Sequence, residues 1–320
     1  MFEFSAEQKT MKIGDTYVGG KMGAHPTVLV GSIFYYGDSI VSDHIKGIFD
    51  KAAALQLLKA EAGYSLQSGN PRIVDVVAET EEAMLRYLDF IIQNTTTPFF
   101  VDSSIAAVRL AGIRYCAEQN VLERAVYNTI EPMSSDDEYA ELAELGVQNV
   151  VILAFTSKHL RPDKRFELLT GTVDKNGENS VGVDAENKAD GLIAKVQRTG
   201  AQNILIDPGV LDLPSSSWTA YIMRKIKDEL GYPVGCAPSN ALYTWLRHKD
   251  VDTPQLQACG ASVFALPIFC GGDFLLYGPL HNAAWVYPSV SVVDAMIGYG
   301  GRLHGVRPET MEHPLFKLFQ

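Results

Sequence analysis

Apolar runs rich in β-branched residues alternate with amphipathic segments along the whole chain. The runs lie at 27–35, 72–78, 98–102, 124–130, 149–155, 203–207, 233–236 and 273–277. Helical periodicity fills the intervals at 51–64, 81–93, 105–118, 137–145, 185–198, 218–230, 240–248 and 254–269, with 290–299 after the last run. In 105–118, for instance, Ile105, Val108, Gly112 and Tyr115 form an apolar, small-residue face, while Arg109, Arg114 and Glu118 fall on the polar side. Ser103 or Ser104 is placed to cap its first turn. Eight strands each followed by a helix predict an α/β chain with a closed (β/α)8 TIM barrel, one domain over 1–320. An open doubly wound sheet is the rival, but it often opens on a glycine-rich turn. Neither a Gly-x-Gly-x-x-Gly helix start nor a phosphate loop occurs here.

One stretch breaks the rhythm. Residues 157–183 hold Lys158, His159, Arg161, Lys164 and Arg165, then a segment rich in Gly, Asn and Asp. Following the fifth strand of a barrel, it reads as a long loop on the catalytic face, either a functional lid or a solvated excursion.

Polar residues interrupt the apolar runs at their carboxyl ends. Pro98-Phe-Phe-Val-Asp102 ends in a carboxylate, Arg124-Ala-Val-Tyr-Asn128 in an amide, and Asn203-Ile-Leu-Ile-Asp207 in a second carboxylate. Asn240 follows the seventh run in Ala237-Pro-Ser-Asn240. In a barrel these four surround one mouth, where barrel enzymes do their chemistry. Taken singly, each is also a plausible cap of the next helix.

Composition narrows the chemistry. The formal charge of −11, without a basic run, argues against nucleic acid as a ligand. Cys116, Cys236, Cys259 and Cys270 form no Cys-x-x-Cys pair and stand apart from the seven scattered histidines, so no metal site is expected. His44, in Ser-Asp-His-Ile-Lys-Gly, misses the corrinoid-binding spacing Asp-x-His-x-x-Gly by one residue and reads as part of an exposed turn. Residues 1–14 lack a signal-peptide core, and the most apolar stretch, 261–270, is too short to span a bilayer, so a cytoplasmic protein is expected. Carboxylates and amides without a nucleophile or metal suit the binding and positioning of a heterocycle with several N–H donors.

Val30-Gly-Ser-Ile-Phe-Tyr, Gly47-Ile-Phe-Asp50, Phe100-Val-Asp-Ser-Ser104, Ala125-Val-Tyr-Asn-Thr-Ile130 and Asp273-Phe-Leu-Leu-Tyr-Gly-Pro279 resemble the H subunit of tetrahydromethanopterin S-methyltransferase and its bacterial relatives. Those relatives include methylcobalamin:tetrahydrofolate methyltransferases of the glycine betaine demethylation type. The resemblance runs in order over nearly the whole chain. It implies a pterin-binding barrel that exchanges a methyl group between the pterin N5 and a corrinoid held by a partner corrinoid protein, and it implies a homodimer. Asp102 and Asp207 match the carboxylates that hold the pterin ring, and Asn128 matches an amide beside them. Asn240 matches the asparagine at N5, which makes Asn240 and Asp102 the catalytic candidates. Asp75 and Glu79 match further positions lining the mouth. Ile206-Asp-Pro208 is closer to the folate-dependent enzymes, so tetrahydrofolate is the expected substrate, with tetrahydromethanopterin the alternative.

Two other readings remain at this point. A synthase of the dihydropteroate type needs an anion site for a diphosphate, and no matching Lys/Arg signature marks the last strands. A non-catalytic component that docks a corrinoid protein is the other.

Overall fold

The computed structural model describes residues 2–171, 190–246 and 251–319. Eight parallel strands run in chain order: β1 (Val28–Ile33), β2 (Arg72–Val77), β3 (Phe99–Asp102), β4 (Ala125–Ile130), β5 (Asn149–Leu153), β6 (Asn203–Asp207), β7 (Gly235–Cys236) and β8 (Phe274–Pro279). Each pairs with its sequence neighbours, and β8 returns to β1. The ring closes between β6 and β7 through a parallel bridge, Ile206 to Val234, with Ile206 N donating to Pro233 O at 3.0 Å. The strands are apolar along nearly their full length because both faces are covered, one by the barrel interior and one by helices.

The described helices are α1 (Lys51–Ser68), α2 (Glu81–Asn94), α3 (Ala106–Glu118), α4 (Asp136–Leu145), α5 (Pro162–Thr170), α6 (Leu192–Arg198), α7 (Ser216–Leu230), α8 (Pro238–Leu246), α9 (Thr253–Phe269), α10 (Ala283–Gly300) and α11 (Pro314–Lys317). Side-chain caps set several starts: Asp50 accepts from Ala52 and Ala53, Thr80 from Ala83, Ser135 from Glu138, and Asp252 from Gln255. All eight expected strands form, and the barrel replaces the open-sheet rival.

The local expectations fail in four places. Ser103 does not cap α3: the N-cap is Ile105, and Ser103 Oγ accepts from Ile105 N within the preceding loop. The stretch after β5 is not all loop, since α5 occupies 162–170, while its remainder at 172–183 lies outside the described residues. Residues 185–189 and 247–248 of two expected helices also lie outside them; α8 starts at Pro238, two residues before the expected start. Finally, an antiparallel hairpin, Thr10–Ile13 with Thr16–Gly19, crosses the amino-terminal end of the barrel, where Asn203 Nδ2 donates to Lys12 O at 2.8 Å.

Arg109 shows why helical periodicity misreads one face of α3. The spacing assigns it to the solvent side, yet it is 2% exposed. Its guanidinium donates to Glu138 Oε1 at 2.9 Å, Tyr127 Oη at 3.2 Å and Ser103 O at 2.6 Å. A charge survives such burial only when its donors are used, and here every nitrogen has an acceptor. The consequence is functional, because the third contact braces the residue after Asp102.

Candidate functional site

The carboxyl ends of β2, β3 and β4 bring three of the expected polar residues together. Asp102 and Asn128 are register partners on adjacent strands, and Asn128 hydrogen-bonds the Asp102 carboxyl. Asp75, two residues further down β2, meets Asp102 from the other side. Ser32 Oγ, on β1, donates to Asp75 Oδ2 at 2.6 Å. Asp75 Oδ1 is buried and has no donor among the described residues. The second carboxyl lies beside it, and two carboxylates in contact and removed from water favour taking up a proton between them. Burial raises Asp75 to about 6. Burial and the neighbouring Asp75 charge raise Asp102 well above the usual carboxylate range, with the Arg109 cation opposing.

Asp207 ends β6 and stands apart from that cluster. Gly209 N donates to its Oδ1 at 2.6 Å, while Oδ2 has no hydrogen-bond partner among the described residues. Burial raises this carboxyl to about 6, while the Gly209 hydrogen bond and the Arg165 cation pull it back. The turn needs glycine at 209: φ is +78°, and a Cβ there would lie 2.6 Å from Phe155.

Asn240 lies inside the first turn of α8, so it is not the helix cap. It is exposed, and its amide has no hydrogen-bond partner among the described residues. Glu79 departs from expectation. It is exposed beyond β2, and its charge, with those of Asp38 and Asp43, bears on Tyr87 of α2. A residue two positions past a strand end is no longer held by the strand's alternation, so matching the motif did not fix its direction.

Several residues near the mouth gave no strong sequence signal. Tyr35, just past β1, is raised to about 12 by burial, with Asp38 and then Tyr243 of α8 contributing. Asn282 Nδ2 donates to Tyr243 Oη at 2.6 Å, and Trp285 Nε1 donates to Asn282 Oδ1 at 3.2 Å. Ser239 Oγ fastens α8 to Leu276 O of β8 at 3.0 Å. Tyr35 ends the motif Val30-Gly-Ser-Ile-Phe-Tyr, and Ser239 lies in Ala237-Pro-Ser-Asn240, where Asn240 alone carried a signal.

The geometry therefore offers a carboxyl pair in contact, a separate carboxylate and an exposed amide at one barrel mouth. A family profile described as "Tetrahydromethanopterin S-methyltransferase MtrH subunit" matches residues 6–309. The chain belongs to this methyltransferase family. The MtrH-type component of tetrahydromethanopterin S-methyltransferase from Methanopyrus kandleri is 35% identical over 329 residues, covering 96% of each chain. Its counterpart from Methanothermobacter thermautotrophicus is 33% identical, covering 99% of this chain and 100% of the relative. Among solved structures, a dihydropteroate synthase of Xanthomonas albilineans superposes with a TM-score of 0.56 at 15% identity, covering 90% of this chain and 98% of that one. One from Coxiella burnetii, in complex with pteroic acid, gives 0.55 at 15% identity, covering 89% and 98%. At that identity the likeness speaks for the barrel alone. MtrH membership agrees with the resemblance read from the motifs, and the relatives' names carry tetrahydromethanopterin, the alternative above, rather than tetrahydrofolate. No described helix is long and apolar enough to cross a membrane. No group of His, Cys, Asp and Glu among the described residues could hold a metal.

Proposed function

We propose that the chain transfers a methyl group between N5 of a tetrahydropterin and the cobalt of a corrinoid carried by a separate protein. The observation that carries this reading is the Asp75–Asp102–Asn128 cluster at the barrel mouth of an MtrH-family chain. Of the two pterins, tetrahydromethanopterin has the support of the relatives' names. Tetrahydrofolate keeps one observation in its favour, the Ile206-Asp-Pro208 motif.

The carboxyls divide the work. Asp207, whose second oxygen has no hydrogen-bond partner among the described residues, accepts from the 2-amino group and ring N–H of the pterin. The Asp75–Asp102 pair already shares a proton, which suits Asp102 to take up or release one as N5 changes its bonding. Asn240 then stabilises the changing charge at N5. When methyl leaves cobalt, the cobalt–carbon bond breaks with both electrons staying on the metal. N5 uses its own pair to form the new bond, and the N5 proton departs towards the pair or solvent. The reverse direction needs N5 protonated before its bond to methyl can break.

The docking surface for the corrinoid protein falls on the same face. Tyr36, Ile105, Met133 and Leu211, all exposed, stand on four loops that follow β1, β3, β4 and β6. The basic cluster after β5 is a weaker contributor than its composition suggested. Arg161 pairs with Asp163 and Lys164 with Glu167, while Arg165 is buried. We also propose a homodimer: Val292, Met296 and Tyr299 recur along an exposed face of α10, with Leu303 beyond it, an apolar stripe that a second copy would cover. Sedimentation of the pure protein at the mass of one chain would remove the dimer.

The direct test mixes the pure chain, without oxygen, with methylcobalamin and each pterin in turn and follows cob(I)alamin absorbance. Formation with tetrahydromethanopterin alone is the expected outcome, and formation with tetrahydrofolate transfers the assignment to the motif's reading. Absence with both, in a folded chain that binds a corrinoid protein, returns the reading as a docking component.

A further inference from the structure

We propose that Arg165 is a positioning residue that holds the turn after β6 and supplies the positive charge that faces Asp207. Nothing in the sequence set it apart from the basic cluster around it. In the folded chain it is 1% exposed, and its Nη1 donates to Pro208 O at 3.1 Å, Gly209 O at 3.0 Å and Thr219 Oγ1 at 3.1 Å. Thr219, on α7, also donates to Gly209 O at 2.7 Å. The guanidinium lies over the Phe155 ring, 4.9 Å from its centroid. The chain of contacts is short: Arg165 holds the Gly209 carbonyl, and the Gly209 amide holds Asp207.

Comparison with Arg109 separates this role from ordinary bracing. Both arginines are wholly buried, and both grip carbonyls just after a candidate site carboxylate. Arg109 has a carboxylate of its own, Glu138, in a buried ion pair. Arg165 forms no ion pair among the described residues, and its Nε is buried without an acceptor. The negative group whose charge bears on it is Asp207. A buried cation with no other counter-charge favours the ionised form of the carboxylate beside it. Among the described residues, the groups facing Asp207 are Arg165 from α5, the Gly209 amide from its own turn, and the Cys236 thiol from β7, whose ionisation burial opposes. Removing Arg165 therefore takes away the cation that opposes burial at Asp207.

The effect on the ligand rests on the pterin reading, whereas the effect on Asp207 does not, and the two are measured separately. Carbon-13 labelled aspartate, with Asp207 assigned by its loss in D207N, gives the carboxyl titration directly. The parent should titrate near 6. In R165M the midpoint should rise by about one unit or more, and R165K, which restores the charge, should return most of that shift. R165Q repeats the neutral test if the methionine variant does not fold. A folded neutral variant with an unmoved Asp207 midpoint overturns the proposal, and so does loss of folding in both neutral variants, which would make Arg165 structural only. Tetrahydropterin affinity against pH is read on the same samples and should shift along the pH axis with the midpoint. A moved Asp207 with unmoved affinity supports the inference and removes Asp207 from the pterin site.

Discussion

Asn240→Ala is expected to bind tetrahydropterin within a few-fold of the parent and to transfer methyl about ten- to a thousandfold more slowly. The reason is that its hydrogen bond to N5 strengthens as charge changes in the transition state, whereas the pterin edge is held elsewhere. Its placement sharpens the test. Because α8 starts at Pro238, Asn240 caps nothing, and its amide has no partner among the described residues. Alanine is the better helix former by a few tenths of a kcal/mol, so the melting temperature should hold or rise slightly. Single-turnover rates and melting curves on one preparation decide the matter. A rate within threefold of the parent would end the assignment at N5.

The second large effect concerns the carboxylates. Asp207→Ala should weaken tetrahydropterin binding by about 1–3 kcal/mol, the cost of leaving buried donors unpaired, read by calorimetry, whereas Asp102→Ala should mainly slow methyl transfer. Their pH dependence should differ, and its sign follows from the environments. Asp207 is raised to about 6, so it is protonated below that value and ionised above it. Binding that needs its carboxylate is then strong above pH 6 and lost as pH falls through it. Asp207→Asn should be weak at both ends of that range, with the step gone. Asp102 instead shares a proton with Asp75, and Asp102→Ala should keep the step near pH 6 while slowing transfer. Unchanged binding in Asp207→Ala together with unchanged transfer in Asp102→Ala would return the two residues to being strand ends and nothing more.

Much of this site was legible along the chain because strand ends obey alternation. Asp102, Asn128 and Asp207 each terminate an apolar run, and a residue paired into a barrel strand inherits that strand's direction. The helices were legible for a similar reason, with bounds set by local caps such as Asp50 and Thr80. Glu79 and Asn240 mark where legibility ended. Both lie past a strand end, and their directions depend on what the following loop or helix packs against.

What the sequence determined by itself was the eight barrel strands, their order, and the three polar residues that end strands, because each follows from contacts a few residues apart. What only the tertiary structure decided was the charge state of those residues. Arg109 and Arg165 look alike as basic residues in polar segments, yet one is neutralised by Glu138 from the next helix and the other is left facing Asp207. Asp75 and Asp102 are 27 positions apart, and that the Asp75 charge raises Asp102 follows only from the pairing of their strands. Electrostatic environment is a sum over groups brought close in space and removed from water, and neither closeness nor burial is a property of any local window.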